Sequence, residues 1–246
     1  MIDKDIERNR YNIKAKLLLN KGVYSNITPA YLNALSYEYY FRTLEGKRGK
    51  QAKLLEIGAG MGENTPLLID MNYNIISIDL SPKSVEVMNN KFSKCENFSA
   101  EVADMEKLPF ENEIFDVVCS AGSLSYGDNT VVMNEIYRVL KQGGVMIAVD
   151  SLNNNPIYRL NRYMRYLRGD RSKSTLIRMP TISLIDKYTE KFGHAEIRYF
   201  ASITWLVPLL NKILSKQVVI RLSNWIDLKF NIKKSAFKFV MMVVKK

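Results

Sequence analysis

Cysteine and histidine are scarce in this chain of 246 residues, which contains two cysteines and one histidine. Cys95 and Cys119 lack the spacing of metal ligands, and we interpret both as reduced thiols. Neither a disulfide framework nor a metal site is therefore predicted. His194 precedes a strand at the far edge of the predicted sheet, which disfavours it as a catalytic base.

Long apolar runs are absent as well. No window reaches the roughly 18 apolar residues that a membrane-spanning helix needs. The N-terminus, Met1-Ile2-Asp3-Lys4-Asp5, is charged and lacks the apolar core of a secretion signal. We expect a cytoplasmic protein, with contact to the inner face of a membrane as an option.

The region from Lys53 to Asp79 carries the most distinctive pattern. An apolar run containing an acid, Leu54-Leu55-Glu56-Ile57, precedes a glycine-rich segment, Gly58-Ala59-Gly60-Met61-Gly62. A second apolar run, Ile75-Ile76-Ser77-Ile78, stops at Asp79. This order of strand, glycine turn, helix, strand and acid predicts the first unit of a parallel sheet that holds a nucleoside-like cofactor.

The residue types explain how such a site would work. Gly58, Gly60 and Gly62 allow a sharp turn after the strand and leave no side chain between the loop and a ligand. Asp79, at the carboxyl end of the second strand, can accept hydrogen bonds from both hydroxyls of a ribose.

The glycine spacing distinguishes between ribose cofactors. A dinucleotide site would read G-x-G-x-x-G, whereas this segment reads G-x-G-x-G and has Glu63 in place of the third glycine. Glu56, at the strand end, adds a negative charge that would repel a pyrophosphate. The same charge would attract, directly or through water, the ammonium of an amino acid. This favours S-adenosylmethionine over NAD.

Later segments continue the pattern in order. They are Ala103-Asp104-Met105-Glu106, Phe115-Asp116-Val117-Val118, and a helix and turn over 135–144. With the glycine loop, their succession across residues 53–150 resembles the class I S-adenosylmethionine-dependent methyltransferases of the type-11-like superfamily.

The resemblance implies roles for several residues. Asp104 would meet the adenine amino group and Met105 would pack on the adenine ring. We also assign Leu80 and Ser120 to the cofactor site. Glu135 and Arg138, three residues apart on a helix, are interpreted as a solvated ion pair.

The whole chain, 1–246, is predicted to form one α/β domain with a doubly wound, Rossmann-like sheet of seven mostly parallel strands. Residues 1–50 form a helical arm, with helices over 3–20 and 29–46 and a start at Thr28-Pro29. The core covers 51–150, and additions on the substrate side cover 151–180 and 203–230. The tyrosines of the arm, expected over the cofactor pocket, are Tyr11, Tyr24, Tyr31, Tyr37, Tyr39 and Tyr40.

Charge is divided unevenly along the chain. Residues 51–150 hold 7 Lys and Arg against 15 Asp and Glu, whereas residues 151–246 hold 19 against 5. A basic addition to an acidic core favours an anionic acceptor, an anionic membrane surface or nucleic acid. Nucleic-acid methylation is disfavoured, because Ser120-Ala121-Gly122-Ser123 stands where an Asn-Pro-Pro-Tyr-like loop would follow the fourth strand.

The insertion at 151–180 has arginine at every third position: Arg159, Arg162, Arg165 and Arg168. On a helix these side chains cover about half the circumference. One interpretation is a solvated basic helix whose Tyr and Leu side chains pack inward. The other is anion binding by guanidinium groups, and we assign Arg159, Arg162, Asn154 and Tyr126 to the substrate site. Residues 205–221 read as a basic amphipathic helix that lies in a membrane interface or covers the core.

Transfer to a hydroxyl would require a group that accepts its proton. Asp150, at the end of the fifth strand, is the first candidate and Asp128 the second. Leu108-Pro109-Phe110 with Arg138-Val139-Leu140-Lys141 is similar to methyltransferases that act on membrane quinones. The segment from Asp150 to Arg162 loosely resembles methyltransferases of bacterial surface-polysaccharide synthesis.

Three functions stay open. We favour O-methylation of a sugar or glycan acceptor that is anionic or lipid-linked. C-methylation of a membrane quinone is the alternative. A non-catalytic, cofactor-binding partner subunit is the alternative of another class.

Overall fold

Short apolar runs form the seven strands of one sheet. The computed structural model describes residues 2–21, 34–47, 49, 51–168 and 172–246. The strands are β1 (Lys53–Ile57), β2 (Asn74–Asp79), β3 (Phe98–Val102), β4 (Phe115–Ala121), β5 (Leu140–Ser151), β6 (Gly193–Phe200) and β7 (Lys238–Lys245). Their order is β3-β2-β1-β4-β5-β7-β6, and β7 runs antiparallel to both of its neighbours. The predicted sheet of seven mostly parallel strands is confirmed.

Helices connect the strands and extend the chain at both ends. They are α1 (Ile2–Lys21), α2 (Ala34–Glu45), α3 (Thr65–Asp70), α4 (Pro82–Lys91), α5 (Asn129–Val139), α6 (Pro156–Leu167), α7 (Lys173–Ile177), α8 (Ile182–Phe192), α9 (Val207–Leu210) and α10 (Lys216–Lys229). The predicted helices over 3–20 and 29–46 agree with α1 and with α2. The predicted start at Thr28-Pro29, and with it Tyr24 and Tyr31, lies outside the described residues.

Side-chain caps define where several helices begin. Asp128 accepts hydrogen bonds from the first-turn amides of α5, and Asn155 does the same for α6, with Pro156 in its first turn. Thr181 caps α8 at its start, and Gly193 ends it in a left-handed conformation. These polar groups replace the missing partners of terminal amides, so the helix boundaries follow from local sequence.

The helices bury both faces of the sheet, which is the doubly wound arrangement. One core lies under α5 and α8 and contains Ile136 and Phe192. The other lies under α2 and α3 and contains Tyr40 and Leu68. Cys119, in the middle of β4, is buried as a free thiol. Both sheet faces are therefore covered by apolar packing, and ligands are left to the carboxyl edge of the strands.

The insertion after β5 differs from its expected packing. In α6 the buried side chains are Tyr158 and Arg162, whereas Leu160 and Leu167 are more than 60% exposed. The interpretation with Leu packed inward is wrong, because Arg162 finds hydrogen-bond acceptors beneath the helix. Arg162 Nη1 donates to Leu152 O at 3.0 Å and to Asn153 Oδ1 at 3.1 Å.

The expected single helix over residues 205–221 is also wrong. A 3-10 turn at Thr204–Leu206 leads into α9, and a separate helix, α10, starts after Ser215. Pro208 lies in the first turn of α9, and Ser215 caps α10 by accepting from Val218 N. A start signal inside the run thus divides it into two helices. Within the described part of the chain, we find no helix whose length and apolar character would let it cross a bilayer.

Candidate cofactor and acceptor site

The glycine loop after β1 has the sharp turn that its sequence predicts. Gly58, Gly60 and Gly62 all have positive φ, between 60° and 73°. A Cβ at Gly58 would lie 2.4 Å from the Cβ of Ser123, and one at Gly62 would lie 2.7 Å from the ring of Phe92. All three glycines were expected to leave space for a ligand. At Gly58 and Gly62 this is corrected, because the space is taken by the side chains of Ser123 and Phe92.

Asp79 ends β2 directly beside this loop. Its Oδ2 accepts from Gly60 N at 2.9 Å, and its Oδ1 accepts from Ser81 N at 2.9 Å. Each oxygen keeps lone pairs for a further donor, as two ribose hydroxyls would require. Burial raises the pKa of Asp79 to about 6, although the two backbone hydrogen bonds oppose the rise. The carboxylate is held in one orientation at the predicted ribose position.

Glu56 lies under the loop rather than at its surface. Its Oε2 accepts from Ser77 Oγ at 2.6 Å and from Thr65 Oγ1 at 2.8 Å, and the side chain is buried. Burial raises its pKa to about 7, against the lowering by these two hydroxyls. Such a position disfavours direct contact with a ligand ammonium. Glu63 is exposed instead, and its carboxylate approaches Gly60 and Met61 N.

Asp104 follows β3 at the neighbouring strand end. Its Oδ1 accepts from Glu106 N at 2.9 Å, and its Oδ2 accepts from Lys4 Nζ at 2.6 Å. Met105 lies between the glycine loop and the turn at Gly127, since its side chain is within 3.7 Å of a Cβ built at either Gly58 or Gly127. The two residues assigned to adenine are thus adjacent to the loop.

Helix α1 crosses this region. Asn12 Oδ1 accepts from Ser81 Oγ at 2.7 Å, and the hydroxyls of Tyr11 and Tyr126 are 3.2 Å apart. Burial is the main cause that raises the pKa of Tyr11, and the neighbouring Tyr126 and Asp79 raise it further. Helix α1 thus lies beside the predicted cofactor position and contacts Tyr126. The expectation for the tyrosines of the arm is wrong for Tyr39 and Tyr40, because α2 packs them against the sheet.

The remaining two residues assigned to the cofactor, Leu80 and Ser120, differ in their burial. Leu80 is half-buried next to Asp79, which suits contact with a ligand. Ser120 is fully buried and its Oγ shares a hydrogen bond of 2.7 Å with Ser123 Oγ, which donates to Ile57 O. Because its hydroxyl is engaged inside the sheet, the assignment of Ser120 to the cofactor is corrected to a packing role.

Asp150 ends β5 in a buried charged cluster. Its Oδ2 accepts from Leu124 N at 3.0 Å and its Oδ1 from Ser151 N at 2.6 Å. Burial raises its pKa, while the cations Lys238 and Arg162 oppose the rise. Lys238 is buried with its Nζ 4.8 Å from the centre of the Tyr37 ring, and burial lowers its pKa. The charges of two buried cations therefore act on this carboxylate at the carboxyl edge of the sheet.

The other assigned residues are less central. Asp128 accepts from Thr130 N and Val131 N as the cap of α5, and Asn154 Nδ2 donates to Lys234 O at 3.2 Å. Arg159 is exposed on α6. The structure gives Asp128 and Asn154 local structural contacts, and their functional roles stay predictions. Among the residues described, no three His, Cys, Asp or Glu side chains form a cluster suited to a metal ion.

Several residues of the site escaped the sequence interpretation. Lys4 and Asn12 of α1 contact Asp104 and Ser81. Because these residues are far apart in the sequence, the sequence pattern does not indicate the contacts. Lys238 had a visible signal, because it is the single charge at the start of the apolar run 237–244. In an antiparallel last strand that start lies at the carboxyl edge of the parallel strands.

These residues fit S-adenosylmethionine better than a pyrophosphate cofactor. Asp79 and Asp104 stand at successive strand ends with free lone pairs for hydroxyl and amino donors. Glu63 adds negative charge at the surface of the loop, which disfavours phosphate. The fold and the donor set suit a nucleoside ligand with a cationic amino-acid part.

Comparison with known proteins reaches the same class. Residues 55–148 match the family described as "Methyltransferase domain". The chain aligns over its full length with the structure of geranyl diphosphate C-methyltransferase from Streptomyces coelicolor A3(2), covering 99% of that chain at 12% identity and a TM-score of 0.67. That structure holds S-adenosylhomocysteine, and the likeness shows a shared fold.

Two curated relatives match part of the chain. A sterol 4-C-methyltransferase of Caenorhabditis elegans is 27% identical over 194 residues, which is 68% of this chain and 58% of the relative. A demethylmenaquinone methyltransferase of Staphylococcus aureus is 31% identical over 106 residues, 42% of this chain and 44% of the relative. The chain thus spans about half the length of these relatives. The family match over residues 55–148 supports the resemblance to the class I S-adenosylmethionine-dependent methyltransferases that the sequence pattern predicts.

Proposed function

We propose that this protein transfers the methyl group of S-adenosylmethionine to an acceptor that binds under α1 and α6. The observation that carries the proposal is the placement of Asp79 and Asp104 at successive strand ends, beside a loop whose three glycines all have positive φ. The match of residues 55–148 to the methyltransferase family supports it.

The chain's own residues would position the reactants. Asp79 orients the ribose, and Asp104 with Met105 orients the adenine. When bound, S-adenosylmethionine supplies a methyl group on a cationic sulfur and is already activated, so the protein contributes alignment and exclusion of water. Tyr11 and Tyr126 close the site from α1 and from the turn after β4.

For the acceptor, we propose a lipid-soluble molecule such as a membrane quinone. The relatives named above act on a sterol and on demethylmenaquinone, and both molecules are lipids. The buried cations Arg162 and Lys238, whose charges act on the carboxylate of Asp150, suit an acceptor with a negatively charged oxygen. The protein would then work in the cytoplasm at the inner face of a membrane.

The lipid-linked glycan favoured by the sequence is the second candidate. Exposed Arg159 on α6 supports it, because a guanidinium group pairs well with the phosphate of a lipid-linked sugar. O-methylation would require a proton acceptor, and Asp150 is the candidate at the strand end. Its two backbone hydrogen bonds leave lone pairs for a hydroxyl donor.

Transfer of a radiolabelled methyl group tests the proposal. The protein would be incubated with methyl-labelled S-adenosylmethionine and, separately, with detergent-dispersed demethylmenaquinone-type hydroquinone, lipid-linked glycan or water-soluble glycan. We expect label in the organic phase with the hydroquinone and none with the Asp79→Ala variant. Label only in the glycan would support the second candidate. Binding of S-adenosylmethionine with no transfer to any acceptor would favour the non-catalytic partner subunit.

A further inference from the structure

Helix α6 presents its apolar side chains to solvent. Ile157, Leu160, Met164 and Leu167 are 50%, 63%, 43% and 61% exposed. At about 100° per residue, these four positions lie within an arc of about 80°. The buried positions, Tyr158 and Arg162, lie on the opposite side of the helix. An ordinary surface helix has the reverse arrangement, with its apolar side chains turned to the core.

Helix α10 repeats the arrangement. Val218, Trp225 and Leu228 are 45%, 54% and 57% exposed. Together with Arg221, these residues follow one another at intervals of three, four and three positions, as do the four exposed residues of α6. The side chains turned inward are Val219, Ser223 and Asp227, and the last is 2% exposed. Two helices therefore bury polar groups and expose apolar ones.

The two helices belong to the same region of the molecule. Tyr158 of α6 donates from its hydroxyl to Ala201 O at 3.4 Å, and Asp227 of α10 accepts from Ala201 N at 2.6 Å. Ala201 directly follows β6, so both helices adjoin the carboxyl edge where the acceptor is proposed. Leu209 and Ile213, in the segment that leads into α10, are 57% and 79% exposed. We call the exposed side chains of 156–168 and 205–230 the apolar-basic face.

The exposed charges of this face are all positive. Residues 156–168 and 205–230 contain eight Lys and Arg residues and a single acid, Asp227, which is buried. The exposed cations include Arg159, Arg168, Lys212 and Lys229. A second copy of the chain would bring the same cations to the contact, and like charges would repel. A surface of negative charge over an apolar interior is complementary to both properties.

We propose that the apolar-basic face binds an anionic lipid membrane. The apolar side chains of α6 and α10 enter the boundary between headgroups and acyl chains, and the cations contact lipid phosphates. This inference rests on the proposed function for the purpose of membrane binding, which is access to a lipid-soluble acceptor. The binding itself does not depend on that function. Docking in this way brings the carboxyl edge of the sheet to a lipid-soluble acceptor.

Sedimentation with vesicles tests the proposal on the full chain. The probes are vesicles of phosphatidylcholine alone and vesicles of phosphatidylcholine and phosphatidylglycerol in equal amounts. We expect the wild type to sediment with the anionic vesicles, and raised salt to release it. The double variant Leu160→Asp with Leu167→Asp should lose about tenfold or more in vesicle affinity, since each aspartate opposes insertion and repels the lipid charge.

The matched control is Leu67→Asp on α3, because Leu67 is 47% exposed and lies outside the apolar-basic face. It should bind vesicles as the wild type does. The inference is overturned if the wild type stays in the supernatant, or if Leu67→Asp loses as much affinity as the double variant. It is also overturned if light scattering shows a dimer that Leu160→Asp dissociates, because the face would then belong to a second copy.

Failure of this inference can be separated from failure of the proposed function. Calorimetric binding of S-adenosylmethionine by the double variant shows that it is folded. Methyl transfer to a detergent-dispersed lipid without vesicle binding by the wild type would overturn the membrane inference alone. Vesicle binding without methyl transfer to any acceptor would overturn the proposed function alone.

Discussion

At the scale of single residues, Glu56 shows how burial makes a carboxyl group beneath the cofactor loop hold its proton. Burial raises its pKa to about 7, and both hydroxyl donors, Ser77 and Thr65, bind the same oxygen. The folded state therefore holds this proton more tightly than the unfolded chain, in which the group has its ordinary value of 4.5. Its contribution to stability is fully present below pH 4.5 and is lost as the pH rises through about 7.

Glu56→Gln should remove this pH dependence. The glutamine carbonyl oxygen can accept the same two hydroxyl bonds and does not titrate. The free energy of unfolding of the variant minus that of the wild type should rise between pH 5 and pH 8 by an amount on the order of 3 kcal/mol. Urea unfolding at the two pH values measures it. Parallel stability curves for the two proteins would contradict the burial of an ionisable Glu56.

Arg162 and Arg159 have the same chemistry in different surroundings. Arg162 is 6% exposed, donates to Leu152 O and Asn153 Oδ1, and stacks on Phe237 at 5.0 Å. Arg162→Ala should cost about 3 kcal/mol or more in the free energy of unfolding, because Asp150 loses a buried counter-charge. Arg159→Ala, the exposed control, should stay within about 0.5 kcal/mol. Equal losses in urea unfolding would refute the buried orientation.

At the scale of elements, the helix α5 holds the loop that carries Asp104 and Met105. Arg138 donates to Leu108 O at 3.0 Å and to Phe110 O at 2.7 Å, and Glu135 accepts from Leu108 N at 2.8 Å. The interpretation of Glu135 and Arg138 as a solvated pair is wrong, because both also bind the loop. The pair lowers the pKa of Glu135 through the hydrogen bond from Arg138.

Arg138→Ala should loosen this loop. Two carbonyls and a carboxylate would lose their donor, so we expect a loss of about 2 kcal/mol in the free energy of unfolding. Hydrogen exchange in residues 104–112 should rise. The control is Arg42→Ala, since Arg42 and Glu38 form an ion pair whose side chains are 73% and 61% exposed, and its loss should stay within about 0.5 kcal/mol. Unchanged exchange in the loop would contradict the role of Arg138.

The elements also show how far sequence reasoning reaches. Strands β1 and β2 and the glycine loop were predictable, because one apolar run stops at Gly58 and the other ends at Asp79. The faces of α6 were not, since Arg162 turns inward only where Leu152 O and Asn153 happen to meet it. The contacts of Lys4 and Asn12 with the loops depend on how α1 folds back, which local pattern does not encode.

At the scale of the whole molecule, charge and chemistry are divided between two regions. The cofactor half, 51–150, is acidic, and the half that adjoins the acceptor side, 151–246, is strongly basic. Acidic residues around the loop suit a cationic cofactor, and basic helices suit an anionic surface or acceptor. The two halves meet at the carboxyl edge, where the charges of Lys238 and Arg162 oppose the rise that burial gives the pKa of Asp150.

Calorimetric titration with S-adenosylmethionine tests the central claim most directly. We predict that the wild type binds one equivalent, and that Asp79→Ala weakens binding by about a hundredfold or more, because two ribose hydroxyls lose a charged acceptor. Circular dichroism of the variant would show that it is folded. Unchanged affinity of Asp79→Ala, or the absence of binding by the folded wild type, would contradict the assignment of this site.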